Sequence, residues 1–203
     1  MMSSFSALTK EELARIADRR PCCERAELAA LVRMDGCLQI SANHQYALKV
    51  TTESASVARK VFRLTKKVLQ APIDIAVKKK LRLRKNNSYV LKIYPQSLDD
   101  LVQLGLIDQD MQIIPGIAKH LVKKRCDQQA YLRGAFLAAG SINNPEGTYH
   151  LEIITNDPIH AEALCHLING FGLGAKVSTR KHWQVVYLKE SEQIVEFLGL
   201  IGA

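Results

Sequence analysis

The sequence predicts an α+β protein of two pseudo-symmetric αββαββα halves, with two four-stranded antiparallel sheets. The first observation behind this prediction is an internal repeat. Residues 26–38 (AELAALVRMDGCL) are echoed 104 positions later by residues 130–142 (AYLRGAFLAAGSI). The second observation is that the downstream segments LKVTTE and LGLI recur in the same order as LEIITN and LGLI. A fixed order of similar segments is typical of a duplicated fold unit.

Two helices are predicted at the start of the chain. Thr9 to Glu12 has the form of a capping box and predicts a short helix over about residues 10–19, because the Thr hydroxyl and the Glu carboxylate can satisfy free N–H groups. Residues 24–34 are predicted to form the next helix. Gly36 is expected to end it in the left-handed conformation that glycine adopts easily.

The remaining helices and strands are predicted from apolar–polar alternation, helix-capping residues, and the glycines and prolines that end elements. In the first copy they are strands over 37–42 and 46–52, a helix capped by Ser54 that runs to about residue 70, strands from 73 and over 89–94, and a helix over 97–104. In the second copy they are a helix over 128–139, a hairpin over 141–155, a helix over 158–169, strands near 175–180 and 183–188, and a helix over 191–198. The predicted domain organisation is an N-terminal helical segment (1–21), a first half (22–107), a connector (108–127) and a second half (128–203).

Small residues repeat on one stripe of each repeated helix. They are Ala26 and Ala30 in the first copy and Ala130, Gly134 and Ala138 in the second. Such a stripe lets two helix backbones approach closely, so we expect these residues to form a helix–helix interface. The alternative is that each helix is an alanine-rich core helix that faces its own sheet.

Composition and cysteine usage indicate a cytoplasmic globular protein. Of its 203 residues, 47% are hydrophobic and 24% are charged, and no apolar run is long enough to span a bilayer. The five cysteines are odd in number and form no CxxC pair, so buried or spare thiols are expected. His160, Cys165 and His166 do not place three ligands on one side of a helix, and the sequence therefore predicts no metal site and no cofactor.

Positive charge is concentrated in the first half of the chain. The net charge is +8, and residues 59–85 contain eleven Lys or Arg against one acid, Asp74, whereas residues 130–203 contain five bases and seven acids. A surface of this kind favours a polyanion such as nucleic acid. The candidate DNA-binding residues are Lys78, Lys80, Arg82, Arg84, Arg59, Lys66, Lys67 and, in the second half, Arg180. The alternative is a solvated outer face that keeps the sheet soluble.

Two segments carry a family resemblance. Leu28 to Gly36 (LAALVRMDG) is similar to the LAGLIDADG motif of homing endonucleases, and Leu132 to Gly140 (LRGAFLAAG) is a looser second copy. Within that superfamily the chain most closely resembles the WhiA family of bacterial sporulation and cell-division transcription regulators. The stretches SFSALTKEELARI, the Cys pair before AELAALVR, and AYLRGAFLAAGSINNPEGTYHLEI carry the likeness, which covers essentially the whole chain.

The resemblance implies a LAGLIDADG-like domain whose two motif helices lie side by side. It also implies a DNA-binding regulator of transcription that acts in sporulation, cell division and chromosome segregation and is associated with the nucleoid. In this family a C-terminal helix-turn-helix domain does most of the DNA recognition, and we expect it to lie outside these 203 residues. The expected partners are double-stranded DNA, bound weakly and largely non-specifically here, that helix-turn-helix domain and other regulatory proteins, with no membrane.

The motif copies differ at the position that matters for catalysis. Homing endonucleases hold divalent metal with an acidic residue from each motif helix. The first copy has Asp35 before its terminal glycine, but the second has Ala139, which cannot bind a metal. The domain is therefore expected to be catalytically inactive and not an enzyme. The alternatives are an active or nicking homing endonuclease, or a protein-interaction scaffold that does not bind DNA.

Overall fold

The computed structural model describes residues 4–18, 20–40, 46–79, 87–143 and 149–203. The first half consists of α1 (Phe5–Arg15), α2 (Pro21–Asp35), β1 (Gly36–Ile40), β2 (Tyr46–Thr52), α3 (Ala55–Val68), β3 (Ile73–Lys78), β4 (Ser88–Ile93) and α4 (Leu98–Gln103). A short 3₁₀ turn (Lys119–Leu121) precedes the second half, which consists of α5 (Arg125–Ala139), β5 (Gly140–Ile142), β6 (Leu151–Thr155), α6 (Pro158–Asn169), β7 (Lys176–Arg180), β8 (Trp183–Leu188) and α7 (Ser191–Ile201).

The two sheets have the same topology, which confirms the predicted fold class. Their strand orders are β1-β2-β4-β3 and β5-β6-β8-β7, and all neighbours are antiparallel. The pairing registers also correspond, since Gly36 at the start of β1 pairs with Val50 and Gly140 at the start of β5 pairs with Ile153. The chain is thus an α+β protein with two pseudo-symmetric halves.

The motif helices α2 and α5 lie against each other at the centre. Ala26, Ala30 and Ala130 are fully buried there. A Cβ atom added to Gly134 would lie 2.5 Å from the carbonyl oxygen of Glu27 and 2.9 Å from the Cβ of Ala30. The small residues therefore set how closely the two backbones approach, while the fifth residue of the predicted interface, Ala138, is partly exposed and borders a cleft.

A buried network of charged groups crosses the interface between the halves. The Arg133 guanidinium on α5 donates to both carboxylate oxygens of Glu27 on α2, at 3.0 and 3.2 Å. Lys60 on α3 lies 2.9 Å from the same carboxylate, and Arg133 also donates to Asp18 at 3.2 Å. Arg133, Glu27 and Lys60 are 5%, 1% and 2% exposed. Buried charges of this kind are tolerated only when they are paired and hydrogen-bonded, as these are.

Two local predictions are wrong. The first helix begins at Phe5, because Ser4 is its N-cap and accepts a hydrogen bond from the Ala7 N–H, whereas Thr9 lies inside the helix and donates to the Phe5 carbonyl. Gly36 has an extended backbone with a φ of −100°. Position 36 requires glycine for a steric reason instead, because a Cβ atom there would overlap the Val32 carbonyl oxygen.

The first sheet is covered by helices on one side only. Ile73, Ile75 and Val77 of β3 pair with residues on the helix side, as the alternation predicts, but Ile75 and Val77 are 48% and 50% exposed because β3 is an edge strand. Leu81 and Leu83, which continue the apolar alternation of this segment in the sequence, lie outside the described residues. In the described part of the chain, no helix combines the length and apolar character needed to cross a bilayer.

Candidate nucleic-acid interface

The side of the first sheet that faces away from the helices carries three lysines. Leu48, Val50, Leu91 and Ile93 of the two central strands are buried against α2 and α3. Side chains alternate along a strand, so Lys49 of β2 and Lys92 of β4 project to the opposite side, and Lys78 of β3 joins them through its register with Ser88. We call this surface, defined by Lys49, Lys78 and Lys92, the open face.

The register places two of these lysines next to each other. Lys49 is paired with Lys92 across the centre of the sheet, and Lys92 is paired with Asp74 on its other side. Asp74 accepts a hydrogen bond from the Tyr94 hydroxyl at 2.9 Å, which raises the pKa of that hydroxyl. The open face therefore has three positive charges against one carboxylate among these residues. Adjacent lysines repel each other, and a phosphate placed between them would relieve that repulsion.

The four candidate DNA-binding bases at positions 78, 80, 82 and 84 are only partly within the described structure. Lys78 lies on the open face, while Lys80, Arg82 and Arg84 lie outside the described residues. Lys49 and Lys92 were missed in the sequence. The alternation of LKVTT around Lys49, with buried Leu48 and Val50 on either side, was the signal that could have found it.

The three candidate bases of α3 lie behind the first sheet. Helix α3 packs on β2 and β4 from the core side through Val57, Val61 and Leu64. Lys67 forms a 2.6 Å ion pair with Glu24, and Lys66 donates to the Ala71 carbonyl at 3.2 Å. A duplex on the open face would therefore be out of reach of these two side chains. The third base, Arg59, borders a cleft at the end of α2.

The open side of the second sheet combines charged and aromatic side chains. Arg180 of β7 lies 3.2 Å from Glu152 of β6, and His150 is 3.2 Å from the same carboxylate. Trp183 is 48% exposed on that side, and the Lys189 ammonium lies 5.3 Å from the centre of the Tyr187 ring. Lys176 of β7, which pairs with Tyr187, is a further base on this side. Arg180 is already paired with Glu152, so this sheet offers an exposed aromatic surface together with positive charge.

The ends of the motif helices form a cleft that contains one motif carboxylate. Asp35 lies in a cavity of about 770 Å³ whose other walls include Lys10, Glu53 and Ala138. Burial raises the pKa of Asp35 to about 6, and the Lys10 ammonium partly opposes that rise. Burial also lowers the pKa of Lys10. The matching residue of α5 is Ala139, so the motif pair brings one carboxylate where a paired metal site needs two.

Sequence comparison places both halves in one family. Residues 21–107 match the family described as the WhiA N-terminal LAGLIDADG-like domain, and residues 128–203 match the one described as the WhiA LAGLIDADG-like domain. The chain belongs to the WhiA family.

Curated WhiA relatives align over nearly the whole chain. A protein of Desulfitobacterium hafniense strain DCB-2 named "Probable cell division protein WhiA" is 72% identical over 200 residues, which are 98% of this chain and 63% of the relative. The protein of the same name from Heliobacterium modesticaldum is 56% identical, with 98% and 63% covered. The chain thus spans about 63% of the length of these WhiA proteins.

Solved structures share the fold. The crystal structure of the N-terminal LAGLIDADG domain of a DUF199/WhiA protein has a TM-score of 0.79 at 23% identity and covers 100% of this chain and 92% of that one. The crystal structure of full-length DUF199/WhiA from Thermatoga maritima has a TM-score of 0.75 at 23% identity and covers 99% of this chain and 62% of that one. The homing endonuclease I-DmoI in complex with DNA and Mn has a TM-score of 0.61 at 15% identity, with 91% and 99% covered.

Proposed function

We propose that this chain is a LAGLIDADG-like domain that binds double-stranded DNA without cutting it. The parent protein would be a transcription regulator that acts in cell division, sporulation and chromosome segregation, with a separate helix-turn-helix domain that reads sequence. The observation that carries the proposal is the combination of a lysine-bearing open face with a motif pair that has Asp35 but Ala139 at the matching position.

Charge and shape support DNA as the ligand of the open face. Lys49, Lys78 and Lys92 project from three neighbouring strands, so one broad surface can meet several phosphates. I-DmoI, which has the same fold, was crystallised with DNA. Lysine side chains act on phosphates as point charges, and binding of this kind is weakly sequence-dependent and strongly salt-dependent. The second sheet, where Trp183 is exposed and Arg180 is already paired with Glu152, is the surface that we assign to protein contacts.

The test is a salt titration of DNA binding. Fluorescence anisotropy with a labelled duplex would compare the wild type with Lys49→Glu/Lys78→Glu/Lys92→Glu. If each lysine neutralises one phosphate, the slope of log K against log salt falls by about 2 to 3. The matched control is Lys66→Glu/Lys119→Glu/Lys123→Glu, which changes the net charge equally at exposed lysines off the open face. Equal losses in the two triple variants would overturn the assignment to the open face, and no loss in either would favour a scaffold that does not bind DNA.

A nuclease is the second candidate, because Asp35 remains at the end of its motif helix in a solvent-accessible cleft. The proposal predicts no cleavage of supercoiled plasmid with Mg²⁺ or Mn²⁺. Metal-dependent nicking that disappears in Asp35→Ala would establish the nuclease instead.

A further inference from the structure

The first turns of the two motif helices bring together four potential metal ligands. Cys22 and Cys23 are the second and third residues of α2, and Cys126 and Asp127 are the second and third residues of α5. The repeat offset of 104 residues that relates Cys23 to Asp127 also relates Cys22 to Cys126. We call these four residues the thiol cluster. It contains one pair of ligands from each half of the molecule.

The distances within the thiol cluster are those of a small coordination sphere. Its three sulfur atoms and one carboxylate oxygen all lie within 4.8 Å of one another. Cys23 Sγ is 3.5 Å, and Cys126 Sγ 3.6 Å, from Asp127 Oδ1. In a tetrahedron with Zn–S of about 2.3 Å and Zn–O of about 2.0 Å, sulfur and oxygen lie about 3.5 Å apart and two sulfurs about 3.8 Å apart. Only small side-chain movements would close the thiol cluster around an ion.

Two members of the thiol cluster are buried and two are partly exposed. Cys23 is 0% exposed and Asp127 is 3% exposed, whereas Cys22 and Cys126 are only partly buried. The buried pair can hold an ion away from water, and the partly buried pair leaves a route by which the ion enters from solvent. Thiols are weak hydrogen-bond donors for a buried carboxylate. A divalent cation would offset the charge of Asp127 more strongly than the thiols do.

The backbone around the thiol cluster favours anionic ligands. Two helix N-termini converge there, and each contributes a partial positive charge that partly offsets the cost of ionising buried thiols. Neither helix has a side-chain hydrogen bond at its N-cap, and the N-cap residues are Arg20 and Lys124. Three thiolates and one carboxylate around a divalent ion carry a net charge of about −2, which the two helix ends and these bases offset.

We propose that the thiol cluster binds one thiophilic divalent cation of the zinc class and that this ion joins the N-terminal ends of the two motif helices. The three cysteine thiols each release a proton to solvent and bind as thiolates, ionised Asp127 supplies the fourth bond, and no electron is transferred. Thiolate ligands favour Zn²⁺ over Mg²⁺ or Ca²⁺, which prefer oxygen. Four protein ligands complete a tetrahedron and leave no open position, which is the arrangement of a structural site.

The proposed site is separate from the motif carboxylate. About twelve residues of helix lie between Cys23 and Asp35, so the two positions are roughly 18 Å apart along α2. The ion would cross-link helices that come from different halves of the chain. Its binding energy would therefore add to the stability of the whole domain, because metal affinity of a folded site is folding free energy.

The test starts from the metal-free chain, prepared under reducing conditions and exposed to Zn²⁺ or Co²⁺. After gel filtration, mass spectrometry of bound metal should find one Zn²⁺ per chain, and Co²⁺ should give the absorption bands of a tetrahedral thiolate complex. At free zinc a thousand times the dissociation constant, the Tm should rise by about 10 °C. The variants Cys126→Ser and Cys23→Ser should each lower the affinity at least tenfold, while the control variants Cys37→Ser and Cys165→Ser, which lie outside the thiol cluster, should bind as the wild type does.

A gain-of-affinity variant keeps the test decisive if a serine variant fails to fold. Asp127→Cys would complete four thiolates, so it should bind zinc more tightly and raise the sulfur-to-cobalt absorption by about one third. A chain that retains no metal at micromolar zinc would overturn the proposal. So would equal metal content in the Cys126→Ser and Cys165→Ser variants, or a native disulfide within the thiol cluster that survives purification in reductant.

Discussion

Gly134 offers the sharpest test of how the two halves meet. It lies in α5 at the contact with α2, where a Cβ would be 2.5 Å from the Glu27 carbonyl oxygen and 2.9 Å from the Ala30 Cβ. The perturbation is Gly134→Ala. Because the nearest atom belongs to the backbone of a hydrogen-bonded helix, it cannot rotate away, and the helices must separate.

The magnitude follows from two opposing effects. An ordinary carbon–oxygen contact is about 3.3 Å, so the backbones must move apart by about 0.8 Å. Overpacking of this kind costs up to about 3 kcal/mol, while replacing a helical Gly by Ala returns about 1 kcal/mol of helix propensity. The net loss is about 2 kcal/mol, which lowers the Tm by about 4–8 °C in a chain of this size.

Thermal unfolding followed by circular dichroism measures the effect. The matched control is Gly199→Ala in α7, since that glycine is also helical but has no other atom within 4 Å of the added Cβ. The control should raise the Tm by about 1–4 °C. An unchanged or higher Tm in Gly134→Ala would refute the reasoning that small residues set the distance between the motif helices.

Two further predictions concern buried charges. Arg133→Met leaves the Glu27 carboxylate with Lys60 alone and should lower the free energy of unfolding in urea by about 3–5 kcal/mol. The control Arg180→Met breaks an exposed pair with Glu152 and should lower it by less than about 1 kcal/mol. Similar losses in the two variants would contradict the role of burial. Asp35→Asn should stabilise the domain by about 3 kcal/mol at pH 7.5 and leave it nearly unchanged near pH 3.5. The folded-state pKa of Asp35 is raised to about 6, so its ionisation weakens the native state as the pH rises through 4 to 6, and an equal gain at both pH values would contradict this.

The fold was predictable because the sequence contains two copies of the same structural unit. Each ambiguous segment of one copy could be checked against the other, and the common order then dictated two equal sheets. The ends of elements were less predictable. Ser4 and Thr9 both have a side-chain hydroxyl that can cap a helix N-terminus. The local sequence does not show how α1 packs against α3 and α5, so it does not decide between the two residues. Gly36 was misassigned because a crowded helix end and a left-handed one both require glycine.

The candidate sites depend on where residues lie in three dimensions, which a count of residue types along the sequence does not give. A count of bases over residues 59–85 merges Lys78, which is on the open face, with Lys66 and Lys67, which are behind the sheet. Short spacings along the chain offer no metal motif among the cysteines, which is why the sequence predicts buried or spare thiols. Cys23 and Asp127 are 104 residues apart, and only the repeat offset could have paired them.

The ion pair between Glu27 and Arg133 also decides which halves can associate. By the repeat offset of 104, Arg133 corresponds to Ala29 and Glu27 corresponds to Tyr131. Two first halves brought together would bury two Glu27 carboxylates that keep Lys60 but lack the arginine, and two second halves would bury two guanidiniums with no Glu27. The first mismatch loses the two hydrogen bonds from Arg133, and the second carries the cost of a buried charge without its partner. Helices with small-residue stripes would otherwise pair with any similar helix, so this ion pair directs each half to the unlike half and disfavours like-with-like dimers.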